Sequence, residues 1–254
     1  MRTKVLLFLV LMLLLTAGVA WAAAPGAGML TTNHDFTQGE FAADVGLCTF
    51  CHTPHKAATQ RLLWNHELPN QVYTWGDTTH TMGGTQLPTI DTSWTGPTRY
   101  CLSCHDGSVA FGSVYWFDKA QHLGAAKIPV ANAAEDNMTF HPNKLIGLGG
   151  NLAGNHPVAV PYPYQQAKNT YNGATTGNEV VLGEFVSDPG ANKIRLFNNP
   201  AGSQVVAGAA AGTTGIECSS CHDPHNGSTV EDKYFLRGKL KGSAGYICLK
   251  CHTK

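Results

Sequence analysis

Four copies of one five-residue pattern, Cys-x-x-Cys-His, constrain this chain more than any other feature. They read CTFCH at Cys48 to His52, CLSCH at Cys101 to His105, CSSCH at Cys218 to His222 and CLKCH at Cys248 to His252. All eight cysteines are used in this way. Two thiols at this spacing can add to the two vinyl groups of one haem, and the histidine that follows is placed to ligate its iron. The pattern therefore predicts four covalently held c-type haems, attached through Cys48, Cys51, Cys101, Cys104, Cys218, Cys221, Cys248 and Cys251. The alternatives are structural zinc and thiol-disulfide exchange. Neither requires a histidine after each second cysteine, and the 26 residues between Cys221 and Cys248 exceed the usual zinc-ribbon loop.

The amino terminus reads as an export signal over residues 1–24: Arg2 and Lys4, an apolar run from Val5 to Leu15, then Ala20, Ala22 and Ala24. No cysteine lies near the expected cleavage region, so no lipid or membrane anchor is expected, and the mature chain should be secreted, to the periplasm or beyond. Loss of Arg2 and Lys4 leaves 15 basic residues against 17 acidic, a net charge of −2, which gives no reason to expect nucleic acid as a partner. Residues 25–254 are expected to form one tetrahaem unit. The 28 glycines and 13 prolines of the full chain predict a loop-rich protein with short helices at the motifs and a few short strands, its core built largely from haem.

Between the first two motifs, Trp64, Tyr73, Trp75, Trp94 and Tyr100 show no helical period and are read as walls around haem edges. The segments VVLGEFV and KIRLF flank SDPGAN, which predicts a hairpin from about Glu179 to Phe197. AGSQVVAGAAAGTTG reads as a surface loop on composition.

Four proximal ligands follow from the motifs: His52, His105, His222 and His252. Eight further histidines could fill the sixth positions. His55 and His225, in CHTPH and CHDPH, each stand three residues after a proximal histidine. Three residues span at most about 10 Å, too little to reach round a macrocycle, so either ligates a different haem or bonds a propionate. His156 is held extended by Pro157, as a ligand or as a loop turn. His34, flanked by Asn33 and Asp35, is a candidate ligand or a turn residue. His66 and, in a less apolar setting, His141 are reserves, while His80 and His122 sit in polar surroundings and are read as exposed.

CTFCHTPH, LWNHE, CLSCHDGSVA, NHPVAV, IECSSCHDPHN and CLKCH together resemble bacterial multihaem cytochromes, and most closely the tetrahaem extracellular cytochrome nanowires of the OmcE type. Residues 106–150 and 165–215 match only loosely. The resemblance implies bis-histidine haems in a continuous stack and electron transfer without catalysis. It also implies a homopolymer passing electrons to other redox proteins or to extracellular acceptors. It further implies that His55 ligates a haem of the neighbouring subunit, the fourth, and that His34, His156 and His225 supply sixth ligands within the subunit. A monomeric periplasmic shuttle is the competing reading. A multihaem reductase or oxidase is a third, disfavoured because all four motifs keep their histidine.

Overall fold

The computed structural model describes residues 23–37, 46–55, 57–59, 61–76, 81–82, 85–117, 120–121, 137–174, 182–200 and 203–253. All but the last two residues of the expected export signal lie outside this set, as do His80 and His122. Most of the described chain is irregular. Its regular elements are two α-helices, α1 (Pro97–His105) and α2 (Cys218–Cys221), several 3-10 turns, and eight short strands. β1 (Thr81–Met82) pairs with β2 (Thr85–Gln86), and β3 (Trp116–Phe117) pairs with β4 (Ala120–Gln121). β5 (Val160–Pro161), β6 (Phe197–Asn198), β7 (Val206–Ala207) and β8 (Thr214–Ile216) form an antiparallel sheet in the order β5-β8-β6-β7.

The expected hairpin does not form over its described residues. Asp188 accepts a bond from the Gly190 N–H at 2.9 Å, and Pro189 fixes the first position of a 3-10 turn over Pro189–Asn192. The chain is thereby turned away before the two apolar segments can pair. Phe185 instead bridges His252, and Phe197 joins β7 and β8. The low-complexity stretch is likewise only partly a surface loop. Val205 is buried and Thr214–Ile216 is a central strand, because Gly215 lets the Tyr171 ring lie where a side chain would otherwise be. A Cβ at 215 would stand 2.3 Å from a Tyr171 ring carbon.

The sheet is covered by Tyr73, Trp75, Ile90, Trp94, Leu102 and Tyr171, so three of the five aromatic residues expected at haem edges belong to an apolar core of the chain's own. A smaller cluster of Phe50, Phe111, Val114 and Met138 packs against Cys51 and Cys104. The buried Glu217 carboxylate ties core to motifs: it accepts from the Tyr171 hydroxyl at 2.6 Å and from the Thr98 N–H at 2.9 Å. The second bond serves as the missing cap of α1, whose own N-cap residue, Gly96, has no side chain to offer.

Candidate cofactor sites

Each motif closes one helical turn. The His52, His222 and His252 N–H groups donate to the Cys48, Cys218 and Cys248 carbonyls at 2.8, 3.1 and 2.9 Å, and the second motif ends α1. Cysteines at i and i+3 and a histidine at i+4 thus share one face. The eight cysteines are free thiols. Burial pushes Cys51, Cys104 and Cys251 up to about 12 and Cys221 to about 11. Cys218 is held below the usual thiol range by a hydrogen bond from Cys101, which is raised in turn. Exchange chemistry needs a readily ionised thiol, which most of these are not. Among the described residues, no group of three or more His, Cys, Asp or Glu side chains gathers as a bare zinc ion requires.

After the first, third and fourth turns the chain is stitched to a second segment by backbone hydrogen bonds. The Thr53 N–H donates to the Leu63 carbonyl and the Asn65 N–H to the Cys51 carbonyl, both at 2.8 Å. The third motif repeats this: Asp223 N–H to Phe235, and Arg237 N–H to Cys221, again at 2.8 Å. In both copies the stitching residues have left-handed backbones, Leu62 and Leu63 in one, Tyr234 and Phe235 in the other. The fourth motif draws the equivalent segment from upstream: Val186 N–H donates to Cys251, and Thr253 N–H to Glu184.

The stitching orients the imidazoles. His52 Nδ1 lies 2.6 Å from the Leu62 carbonyl, His105 Nδ1 3.0 Å from Lys144, and His222 Nδ1 2.7 Å from Tyr234. A carbonyl only accepts, so each Nδ1 carries the proton and each Nε2 is left with a free lone pair, as a metal-ligating histidine requires. His34 Nδ1 is anchored in the same way on the Pro224 carbonyl at 3.3 Å and His156 Nδ1 on Pro157 at 2.9 Å. His225 Nδ1 lies 3.7 Å from the Asp223 carboxylate. Burial, with His105 adding to it, lowers His34 to about 4, and burial lowers His105 and, together with His156, His252. These rings are therefore neutral, the form that ligates a metal.

Three motif histidines have a second histidine ring close by. The ring centres are 6.2 Å apart for His34 and His105, 6.1 Å for His52 and His225, and 6.3 Å for His156 and His252. A metal-imidazole bond is about 2.0–2.1 Å, and the ring centre lies about 1.1 Å further on, so two imidazoles on opposite sides of one metal have centres about 6.2–6.4 Å apart. A haem iron, which takes four bonds from its porphyrin, needs only such a pair from protein. The spacing of the three pairs is close to what that group requires of its two protein ligands.

His222 has no described histidine opposite it at this spacing, and His55 is exposed. The pairing expected between His55 and the fourth motif thus meets His156 already opposite His252. His66 is not aimed at a motif: it is buried, with Nδ1 3.0 Å from the Glu67 carbonyl and Nε2 3.0 and 3.2 Å from Ala110 and Phe111. His141 packs near Phe111.

Successive motifs also adjoin. Cys51 and Cys104 share the small cluster. Thr98, in the helix that ends in the second motif, accepts from the Cys218 N–H at 3.1 Å. Lys250 of the fourth motif donates to the Arg237 carbonyl at 2.6 Å, and Arg237 donates in turn to Cys221. The sequence did not reveal the carbonyls of Leu62, Lys144, Tyr234 and Pro224, because a backbone acceptor has no residue type. The only available signal was the similar spacing from His52 to Leu62 and from His222 to Tyr234.

No family model matches the chain, and no curated protein matches it.

Proposed function

We propose that this is an electron-transfer protein carrying four c-type haems, exported from the cell and assembled end to end into a conducting polymer. The observation that carries the reading is the set of three histidine pairs at 6.1–6.3 Å, each joining a motif histidine to one of His34, His156 and His225. A bound haem supplies a one-electron iron couple; the chain's part is to fix, close and align it. His52, His105, His222 and His252 hold the iron from one side. His225, His34 and His156 close the first, second and fourth sites, which leaves no open coordination position there for a substrate. Contacts from first motif to second, second to third and third to fourth, and from the third back to the first through His225, support one connected group of haems within the subunit.

Among the described residues no histidine stands opposite His222 at this spacing, His80 and His122 lie outside them, and the donor taken in this reading is the exposed His55 of a neighbouring subunit. In the polymer, His55 of one subunit reaches His222's haem in the next, rather than the fourth haem that the resemblance implies. Among the described residues no helix is long and apolar enough to cross a membrane.

The test is intact mass and optical spectroscopy of the secreted protein, with sizing at high concentration. Four haems, low-spin spectra, no carbon monoxide binding and polymers are expected. A mass lacking four haems overturns the reading, a high-spin fraction that binds carbon monoxide in the polymer favours an enzyme, and uniform monomers favour a soluble shuttle.

A further inference from the structure

We propose that the cleft between Arg61 and Arg99 seats a propionate carboxylate of a bound haem, an inference that rests on the four-haem reading above. The cleft has a volume of about 310 Å³ and is lined by Thr59, Arg61, Ser93, Arg99, Tyr100 and Gln204, among others. Its two guanidinium groups are both half-buried, and among the described residues neither meets a carboxylate. Arg99 makes one long bond, from Nη2 to the Pro69 carbonyl at 3.4 Å, and its Nε is buried with no partner. The buried Nε1 of Trp64 also has none.

An arginine carries five donors in a planar fork suited to a carboxylate, and leaving such donors buried and unpaired is costly. The buried cations Lys250 and Arg237 already have partners: Lys250 shares Glu231 with the exposed Lys193, and Arg237 meets Asp223. Asp91 acts on Arg99 by charge but makes no ion pair with it, and four haems would bring eight propionates to the chain. The cleft also adjoins two motifs. Arg61 is next to Leu62, whose carbonyl holds His52. Arg99 stands two residues before Cys101 on α1. Trp64 bridges the two, with its ring centre 5.6 Å from His52 and 5.4 Å from Tyr100. The cleft therefore lies where the first two motifs meet.

The experiment uses the full haem-loaded protein with R61M, R99M, the double variant and the charge-keeping R99K, each checked by mass for four haems. Spectroelectrochemical titration should show one of the four transitions moving to lower potential in R61M and R99M, and further in the double variant, since an uncompensated carboxylate favours ferric iron. R99K should recover most of the shift. Calorimetric titration of the unaltered protein with citrate should show no binding, because the seat is filled from within. Four unchanged transitions in the double variant overturn the proposal, as does citrate binding that the double variant loses, which marks a site for free carboxylates. If the double variant does not mature, R61M alone is read in the same way. Absence of haem from the unaltered protein would instead end the reading on which the proposal rests.

Discussion

Replacing Glu217 is the sharpest probe of how the protein core is joined to the motifs. Its carboxylate is fully buried and accepts from the Tyr171 hydroxyl at 2.6 Å and the Thr98 N–H at 2.9 Å. E217A leaves both donors buried and unpaired, at about 1–3 kcal/mol each, so a loss of about 2–6 kcal/mol is expected. Burial also raises the Glu217 pKa above the ordinary carboxylate range. The folded state therefore holds this proton more tightly than the unfolded chain. Stability from the group is fully present below the unfolded pKa and is lost as pH rises through the folded one. E217Q mimics the neutral acid, with its amide donating to the Tyr171 oxygen and its carbonyl accepting from Thr98. It should match the native protein near pH 4 and become the more stable of the two as pH increases. Guanidinium unfolding of haem-loaded protein, followed by circular dichroism in the haem band, measures both effects. A loss under about 0.5 kcal/mol in E217A, or identical pH slopes for E217Q and the native chain, would refute the argument.

Three further outcomes follow from the site. H156A should open one haem of four, so that carbon monoxide binds to a quarter of the total while four haems remain attached; H34A should do the same at the second site. H55A should abolish polymers and open the third site, and chains that still polymerise with that haem low-spin would remove the bridge between subunits. Glu231 is paired with Lys193 at 2.9 Å and Lys250 at 3.0 Å, and its carboxyl is lowered chiefly by the bond from Lys193. It stabilises the fold above the unfolded pKa, and this is lost as pH falls through the lower folded value. E231Q should cost about 1 kcal/mol at neutral pH and nothing in acid, in the same unfolding assay.

How much of this was legible in the sequence varies by residue. The four turns were readable because cysteine and histidine at i, i+3 and i+4 state both the chemistry and the face. His34, His156 and His225 could be named as candidates, but not assigned, since which histidine faces which motif depends on contacts distant in sequence. His34, for instance, is anchored on Pro224, 190 residues away. Composition misjudged Thr214–Ile216, where burial against Tyr171 outweighs the poor strand propensity of glycine. Residue pattern misjudged the Glu179–Phe197 segment, because Phe185 finds its partner at the fourth motif. Arg61 and Arg99 carried no signal at all, their lack of a carboxylate ion pair among the described residues being visible only in three dimensions.

The central claim is that paired imidazoles close the irons of this chain, and the most direct measurement is an experimental structure of the haem-loaded protein that resolves the axial ligands. The account predicts iron between His52 and His225, between His34 and His105, and between His156 and His252, with Nε2 as the ligating atom throughout. Iron bound by any other side chain opposite His52, His105 or His252, or left five-coordinate there, would contradict it.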